Sequence, residues 1–159
     1  LTLFAAWSSS GTPLDRYIPK NMEEEKIIAL VEVFHKARTE LDVESYLACL
    51  DDGGRYMFSG HMMVSKEKLA TLLPRFWAGL KADSTRTSNA HIMPICRENL
   101  NGNFFDGDLY NPVIEIDDSN ARVIVRFQTP VVRWRSHLFI SLKKTDGEWL
   151  INGFEWAIG

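Results

Sequence analysis

The first part of the chain carries apolar residues at helical spacing. Between residues 22 and 41 apolar side chains recur every three or four positions, which predicts one long amphipathic helix. Asn21 can cap its start, and three glutamates follow in the first turn, where acidic side chains suit the helix dipole. Asp42 can cap a second, short helix over residues 43–50, which the Asp-Asp-Gly-Gly run at 51–54 is expected to end.

The rest of the pattern predicts one more helix and a series of strands. Residues 55–59 are aromatic-rich and short, like a strand, and Ser65 can cap a third helix that Pro74 is expected to break or kink. Residues 99–111 are rich in turn formers and predict a long loop or hairpin tip. Further strands are predicted at residues 91–97, 113–117, 121–128, 134–143 and 149–158. Helices followed by antiparallel strands indicate an α+β fold.

Length and charge narrow the class of protein. The 159 residues suit one domain, predicted at 22–159, with 1–21 as an N-terminal arm. The net charge is −3, and Lys and Arg are scattered, which argues against nucleic acid as a partner. The nearest approach to a basic patch is Arg126, Arg133 and Arg135. No stretch reaches the roughly 18 apolar residues of a membrane span.

The first seven residues are apolar and precede a run of three serines. They are similar to the back half of a signal-peptide apolar region, with Ala5 and Ala6 as the small residues before a cleavage site. This pattern favours a secreted or periplasmic location over a cytoplasmic one. The alternative is a short apolar arm that docks on the domain or on a second subunit.

The cysteines and histidines do not have the spacing of metal ligands. Cys49 and Cys96 lie in apolar surroundings, which favours two buried thiols over a disulfide. No pair of histidines has i, i+4 or H-x-H spacing, so we predict neither a metal nor another cofactor. His35 borders the apolar face of the first helix, and His61 follows a turn where it is expected to be solvated.

The order of elements and three segments carry a family resemblance. Residues 41–60, the helix at 64–73 and the hairpin at 138–156 resemble the nuclear-transport-factor-2-like superfamily. That superfamily includes SnoaL-like polyketide cyclases, scytalone dehydratase, ketosteroid isomerase and the kinase association domain. The resemblance covers residues 22–158 and implies a cone-shaped, strongly curved, mostly antiparallel sheet packed around N-terminal helices. It also implies one pocket and a homodimer, in a family of unknown function.

The catalytic residues of these relatives carry over only in part. The tyrosine of the ketosteroid isomerase oxyanion hole falls on Phe34, and the region of its general base holds Phe58 and a serine. The Tyr-Asp pair of scytalone dehydratases falls on Arg38 and Thr39. Their two histidines fall close to His91 and His137. The resemblance therefore implies, for an enzyme, a cofactor-independent lyase or isomerase with these two histidines as proton carriers.

Alternation along the strands leaves two interpretations of these histidines. His91 shares a strand face with Met93, and His137 shares one with Arg135 and Phe139. Each histidine is either a hydrogen-bonded core residue or a group that lines the pocket, where it can move a proton. Aromatic and sulfur-containing side chains suit an apolar pocket lining. The ligand-binding candidates are Tyr56, Phe58, Phe76, Met93, Arg135 and Trp156.

Two functions are compatible with this sequence. The first is a small-molecule-binding domain for an apolar or aromatic ligand, with cofactor-free acid-base chemistry as its catalytic version. The alternative is a non-catalytic homodimerisation or interaction module that associates through the outer face of the sheet. Trp134, Leu138 and Ile140, on one strand face, are the candidate apolar centre of that interface.

Overall fold

A computed structural model describes residues 11–58, 62–82, 107–128 and 135–158, without the side chains of residues 80, 135, 136 and 156–158. These residues form a short 3-10 helix (Leu14–Arg16), three α-helices and six strands. The helices are α1 (Met22–Glu40), α2 (Val43–Ala48) and α3 (Lys66–Ala82). The strands are β1 (Leu50–Met57), β2 (Met63–Ser65), β3 (Asp108–Asp117), β4 (Asn120–Gln128), β5 (Arg135–Thr145) and β6 (Glu148–Ile158).

The six strands form one curved sheet in the order β2-β1-β6-β5-β4-β3. Every neighbouring pair is antiparallel except β1 and β6, which run parallel. The hairpin between β5 and β6 turns at Asp146 and Gly147, whose φ values of 52° and 81° are both positive. An Asp-Gly pair suits such a turn, because its backbone twist matches that of the flanking strands. The predicted α+β class and the final hairpin are confirmed.

The two predicted caps start α1 and α2. The Asn21 side chain accepts a hydrogen bond from the Glu24 backbone N–H at 2.9 Å, and Asp42 accepts one from the Ser45 N–H at 3.1 Å. Between the two helices Leu41 takes a left-handed φ of 56°, which ends α1. Each cap satisfies a backbone donor that the first helical turn leaves unpaired, a contribution of about 1 kcal/mol.

The core lies between α1 and one face of the sheet, which we call the inner face. Ile27, Val31 and Phe34 of α1 are fully buried, and so are alternate residues of the central strands. Those strand residues are Val123, Val125, Leu138, Ile140 and Ile151. Each buried aliphatic side chain contributes roughly 1.5–3 kcal/mol to folding. The residues between them on β4 and β5 point to the opposite, outer face.

The Asp-Asp-Gly-Gly run does not stop a helix; it belongs to β1. The register between β1 and β6 shifts between Leu50 and Arg55, so residues 51–54 form a bulge. A Cβ added at Gly54 would lie 2.0 Å from the Tyr56 hydroxyl and 2.7 Å from the Asn152 carbonyl oxygen. The prediction is wrong because the glycine is needed for this close tertiary approach, which local sequence patterns do not show.

Two further segments differ from the sequence predictions. Pro74 does not break α3, which continues through it; the proline lies on the exposed side of the helix, where water can solvate the carbonyl left without a donor. Residues 108–111, expected in a loop, form the start of β3, and their turn-forming character appears as a bulge with Asn111 at a φ of 53°. The predicted strand at 91–97 and His61 lie outside the described residues.

Residues 11–20, which we call the N-terminal strap, cross the free edge of β3. Thr12 and Asn111 exchange two hydrogen bonds of 2.8 Å, and Pro13 pairs with Tyr110. Leu14 is buried in the core. At the other end the buried Glu24 carboxylate accepts hydrogen bonds from the Tyr17 hydroxyl and the Lys20 backbone N–H. The domain boundary at residue 21 stays a prediction, as does the interpretation of residues 1–10, which are not described.

None of the helices in the described ranges combines the length and apolar content that spanning a membrane requires.

Candidate functional site

Aromatic rings pack against one another on the inner side of the sheet. The Phe34 ring stacks on Tyr46 with centroids 5.1 Å apart and lies 5.3 Å from Phe154. Trp77 of α3 meets Tyr46 edge-on at 5.0 Å. In the described part of the chain, the space between α1, α3 and β6 is therefore occupied by aromatic side chains in the arrangements that such rings favour.

Tyr56, a predicted ligand-binding residue, is fully buried and belongs to this packing. Its hydroxyl lies 2.5 Å from the Asp51 carbonyl oxygen and 2.7 Å from that of Ile151, so both acceptors are backbone atoms of the β1–β6 bulge. Burial, the largest cause, and the neighbouring Asp51 carboxylate raise the Tyr56 pKa. Its hydroxyl is thus a structural hydrogen-bond donor.

The structure describes the side chains of only two of the other predicted ligand-binding residues. Phe58 and Phe76 meet edge-on with centroids 5.4 Å apart, and both are only partly buried. Arg135 and Trp156 lie in β5 and β6, but their side chains are not described. Met93 and His91 lie outside the described residues. The assignment of Phe58 and Phe76 to a ligand site stays a prediction.

His137 lies on the outer face, and the expectation that it lines the interior is wrong. It is exposed, and in register it lies between Arg126 of β4 and Ala157 of β6. Leu138 and Ile140 point the other way and are fully buried, so they cannot form the centre of an intersubunit contact on the outer face. Because strand residues alternate, burying one set exposes the other. Trp134 is outside the described residues.

Arg38, which the resemblance matches only to the tyrosine of the dehydratase pair, is a buried charge. Only 4% of the residue is exposed, and its guanidinium carbon lies 5.5 Å from the centroid of the Phe34 ring. Burial lowers the Arg38 pKa to about 10, so the side chain stays charged at neutral pH. Its position four residues after Phe34, on the apolar side of α1, was the signal that a charge enters the interior.

A cleft of about 430 Å³ opens where the N-terminal strap, α1 and β3 meet. We call it the His35 cleft. Its walls are residues 13–16 of the strap, Glu32, His35 and Lys36 of α1, and residues 108–110 of β3. The strap forms one wall because Leu14 is anchored in the core and Pro13 pairs with β3. The helix spacing of three and four residues places Glu32, His35 and Lys36 on one side of α1.

His35 is neutral at physiological pH. Its Nε2 lies 2.7 Å from the Gly107 carbonyl oxygen, so Nε2 carries the proton and donates, and Nδ1 retains its lone pair. Burial is the main cause that lowers the His35 pKa to about 4, and the nearby Arg38 charge adds to it. The ring also meets Phe127 edge-on at 6.2 Å. The arrangement makes His35 a fixed hydrogen-bonding group in the cleft wall.

The pKa of one cleft carboxylate, that of Glu32, is also shifted. Burial, with a contribution from the Asp15 charge across the cleft, raises the Glu32 pKa. Because the causes are desolvation and a like charge, a hydrogen-bond donor or a cation placed between these two groups would be stabilised. The opposing wall residues Arg16 and Lys36 supply positive charge, so the cleft is polar and mixed in sign.

Neither a metal centre nor a reactive thiol is found among the described residues. Within those ranges no three His, Cys, Asp or Glu side chains are arranged to hold a metal ion. Cys49 is a buried free thiol that donates to the Ser45 carbonyl oxygen at 3.3 Å, and burial raises its pKa to about 11. A thiol with this pKa is protonated at neutral pH and is a poor nucleophile. Cys96 lies outside the described residues.

Comparison with known proteins shows the fold. An NTF2-like protein from Cytophaga hutchinsonii is 15% identical, with 87% of this chain and 99% of that chain covered at a TM-score of 0.56. An NTF2-like protein of unknown function from Pseudomonas putida is 11% identical, covers 85% of each chain and has a TM-score of 0.59. Another, from Shewanella baltica, is 11% identical, with 90% and 98% covered and a TM-score of 0.55.

These likenesses establish an NTF2-like α+β fold for this chain, which is the fold that the resemblance in the sequence implies. The relatives are themselves described as NTF2-like proteins, two of them of unknown function. No family model and no curated protein matches the sequence. Because one fold hosts many activities, function has to be argued from the geometry of the site.

Proposed function

We propose that the protein is a small-molecule-binding domain whose ligand occupies the His35 cleft. The observation that carries this proposal is an open cleft of about 430 Å³ with converging polar groups. Sites for small molecules have volumes of roughly 300–1,000 Å³ and combine apolar walls with a few placed polar groups. The described interior, by contrast, is occupied by aromatic side chains of the core.

The cleft walls suggest the chemistry of the ligand. Pro13, Leu14 and Leu109 supply apolar surface, and the Nδ1 lone pair of His35 is an acceptor for one hydrogen-bond donor. Charged groups of both signs surround this acceptor. A small apolar or aromatic molecule that carries a hydroxyl or amino group fits this combination, with its apolar body against the strap.

Binding fits the His35 geometry better than acid-base catalysis does. A general base at neutral pH works best with a pKa near 7, whereas that of His35 is about 4. Its Nε2 proton is already engaged by the Gly107 carbonyl oxygen. A shared site for His91 and His137 on the inner side is not supported, because His137 is exposed on the outer face.

A thermal-shift screen of the purified protein against small aromatic and polyketide-like molecules tests the proposal. A ligand at about 100 times its dissociation constant stabilises the fold by roughly 2.7 kcal/mol, which raises the melting temperature by about 5–10 °C. Glu32→Lys changes the charge of the cleft wall and is expected to weaken the shift of any ligand bound there. Glu67→Lys, an equal charge change on the exposed side of α3, is the control.

Loss of the shift in the Glu32→Lys variant with retention in the Glu67→Lys variant would support the His35 cleft. A ligand whose shift is the same in both variants and in a His35→Gln variant binds elsewhere, and that outcome would refute this site. Silence of the whole screen would count against small-molecule binding.

A second candidate is a homodimerisation module, and one row of outer-face residues favours it. Val113, Ile124 and Phe139 lie side by side on β3, β4 and β5, and Val113 is 54% exposed. Apolar side chains in such a row suit a two-fold interface. Sedimentation velocity is the test: a dimer that dissociates in the Phe139→Glu variant but not in the Glu67→Lys variant supports this function. A monomer at micromolar concentration contradicts it.

A further inference from the structure

Arg126 occupies an enclosed position on the outer face. In register it lies between Tyr110 of β3 and His137 of β5, and its guanidinium carbon is 5.7 Å from the centroid of the Tyr110 ring. The strap passes directly beside the guanidinium. A Cβ added at Gly11 would lie only 2.8 Å from Arg126 Nη2. The arginine is thus held between an aromatic ring and the backbone of the strap.

Two donors of this guanidinium lack an acceptor in the described part of the chain. Arg126 Nε and Nη2 are both buried, and no residue in the described ranges accepts a hydrogen bond from either atom. Four residues earlier on the same face, Arg122 Nη2 donates to Glu115 Oε2 at 2.7 Å. A buried charged donor without a partner is costly, so the unpaired state of Arg126 calls for an acceptor.

The two unpaired donors share one edge of the guanidinium. The N–H groups of Nε and Nη2 point in parallel from that edge, and their spacing matches two oxygens of a carboxylate or a phosphate. Nearby, Gln128 Oε1 is also buried without a donor among the described residues. Gln128 lies two residues after Arg126 on the same face of β4. Because the two ends of a carboxamide are nearly isosteric, its NH₂ group can take the place of Oε1 and act as a donor.

We propose that Arg126 binds a small oxyanion, a carboxylate or a phosphate, through the edge formed by Nε and Nη2, with Gln128 as a second donor. The enclosure favours such a pair, because the charges interact more strongly away from water. Entry of the anion requires local opening of the strap at Gly11, which has no side chain of its own. Arg126 does not line the His35 cleft, although Tyr110, whose ring it contacts, belongs to the wall of that cleft.

The first experiment measures melting temperature in chloride, acetate and phosphate at one pH and one ionic strength. Acetate or phosphate at about ten times its dissociation constant is expected to raise the midpoint by about 3–6 °C over chloride. The acetate and phosphate arms distinguish a carboxylate ligand from a phosphate. The Arg126→Gln variant is expected to lose the difference among anions.

Arg122→Gln is the matched control, because Arg122 lies on the same strand face and has a carboxylate partner. It is expected to keep the full response to the anions. Arg126→Gln removes a half-buried guanidinium, two of whose donors have no acceptor among the described residues, and is therefore expected to fold at least as stably as the parent protein in chloride. A Gly11→Ala variant, whose methyl group crowds Nη2, is expected to weaken the response.

Binding of phosphate followed by ³¹P line broadening provides a second measurement that does not depend on stability. Broadening that is lost in Arg126→Gln and kept in Arg122→Gln supports the site. Equal midpoints of the parent protein in all three anions would overturn the proposal, as would an anion response that survives in Arg126→Gln.

Discussion

Glu23 Oε2 of the first helix accepts a hydrogen bond from Trp149 Nε1 of the last strand at 2.7 Å. The same oxygen accepts one from Lys144 Nζ at 2.8 Å, and the Lys144 ammonium lies 5.7 Å from the centroid of the Trp149 ring. One carboxylate therefore joins the start of α1 to the β5–β6 hairpin, across more than a hundred residues of sequence. The contact couples the two most clearly patterned segments of the chain.

We expect Glu23→Gln to lower stability in a pH-dependent way. The hydrogen bond from Lys144, then that from Trp149, lowers the Glu23 pKa from 4.5 to about 2. A carboxyl whose pKa is depressed on folding stabilises the protein above the unfolded value, and this contribution is lost as the pH falls from about 4.5 to about 2. Urea unfolding of parent and variant should differ most above pH 5.

The difference between parent and Glu23→Gln should shrink steadily below pH 4.5. Glu25→Gln, an exposed glutamate in the same first turn, is the control and should show a much smaller effect. A stability difference that does not change between pH 6 and pH 2.5 would show that the Glu23 charge is not involved.

His35 should cause a second loss of stability on acidification, at a higher pH than the loss caused by Glu23. Because its pKa falls from 6.5 to about 4 on folding, the unfolded chain binds the proton more readily in this interval. Stability is therefore full above pH 6.5 and declines as the pH falls towards 4, by on the order of 3 kcal/mol. The comparison is urea unfolding of the parent and of His35→Gln at several pH values between 7.5 and 4.

His35→Gln keeps a side-chain donor for the Gly107 carbonyl oxygen but does not titrate, so its stability should be less sensitive to pH in this interval. Titration of the His35 ring by NMR provides a direct measurement of its pKa. A value near 6.5 in the folded protein would contradict the burial of His35.

Neighbouring residues of β5 point to opposite faces of the sheet, so we expect their substitution to change the stability of the protein by different amounts. Leu138→Ala removes a fully buried side chain and should cost about 2–5 kcal/mol in the free energy of unfolding. His137→Ala removes an exposed side chain and should change it by no more than about 0.5 kcal/mol. Denaturant unfolding of both variants measures this difference. Similar costs at the two positions would show that the strand faces are assigned wrongly.

Glycines in different surroundings should respond to alanine with opposite signs. Gly54→Ala brings a methyl group against the Tyr56 hydroxyl and the Asn152 carbonyl, and should cost about 1–3 kcal/mol. Gly79→Ala lies in α3 with no heavy atom within 4 Å of the new Cβ, and should stabilise by about 0.4–1 kcal/mol. Thermal unfolding of both variants gives the comparison.

A double variant sharpens the Gly54 prediction. In the Gly54→Ala/Tyr56→Phe variant the clashing hydroxyl is absent. Tyr56→Phe should therefore cost less stability in the Gly54→Ala variant than it does in the parent protein. Strict additivity would mean that the methyl group and the hydroxyl do not interact.

Several elements could be predicted from sequence because their signals are local. The N-caps Asn21 and Asp42 act within three residues of themselves, and the Asp146-Gly147 turn needs no partner beyond its own strands. The spacing of apolar residues in α1, every three or four positions, reflects the burial of one side of the helix. These features, together with the family resemblance, were sufficient for the α+β fold.

The candidate site could not be predicted in the same way. Because side chains alternate along a strand, the sequence shows that His137 and Leu138 point to opposite faces of the sheet. Only the packing of α1 against the sheet decides which of the two is buried. The His35 cleft is formed by three segments that are far apart in sequence, and the low His35 pKa arises from burial and from Arg38. No local pattern contains this information.

The sequence by itself determined where the three helices begin, which residues share a face, and how the last hairpin turns. Each of these depends on interactions between residues a few positions apart. The tertiary structure alone decided which face is buried, that Gly54 lies in a strand bulge, and that Glu23 meets Trp149. These outcomes depend on contacts between distant segments, which form only when the whole chain is packed.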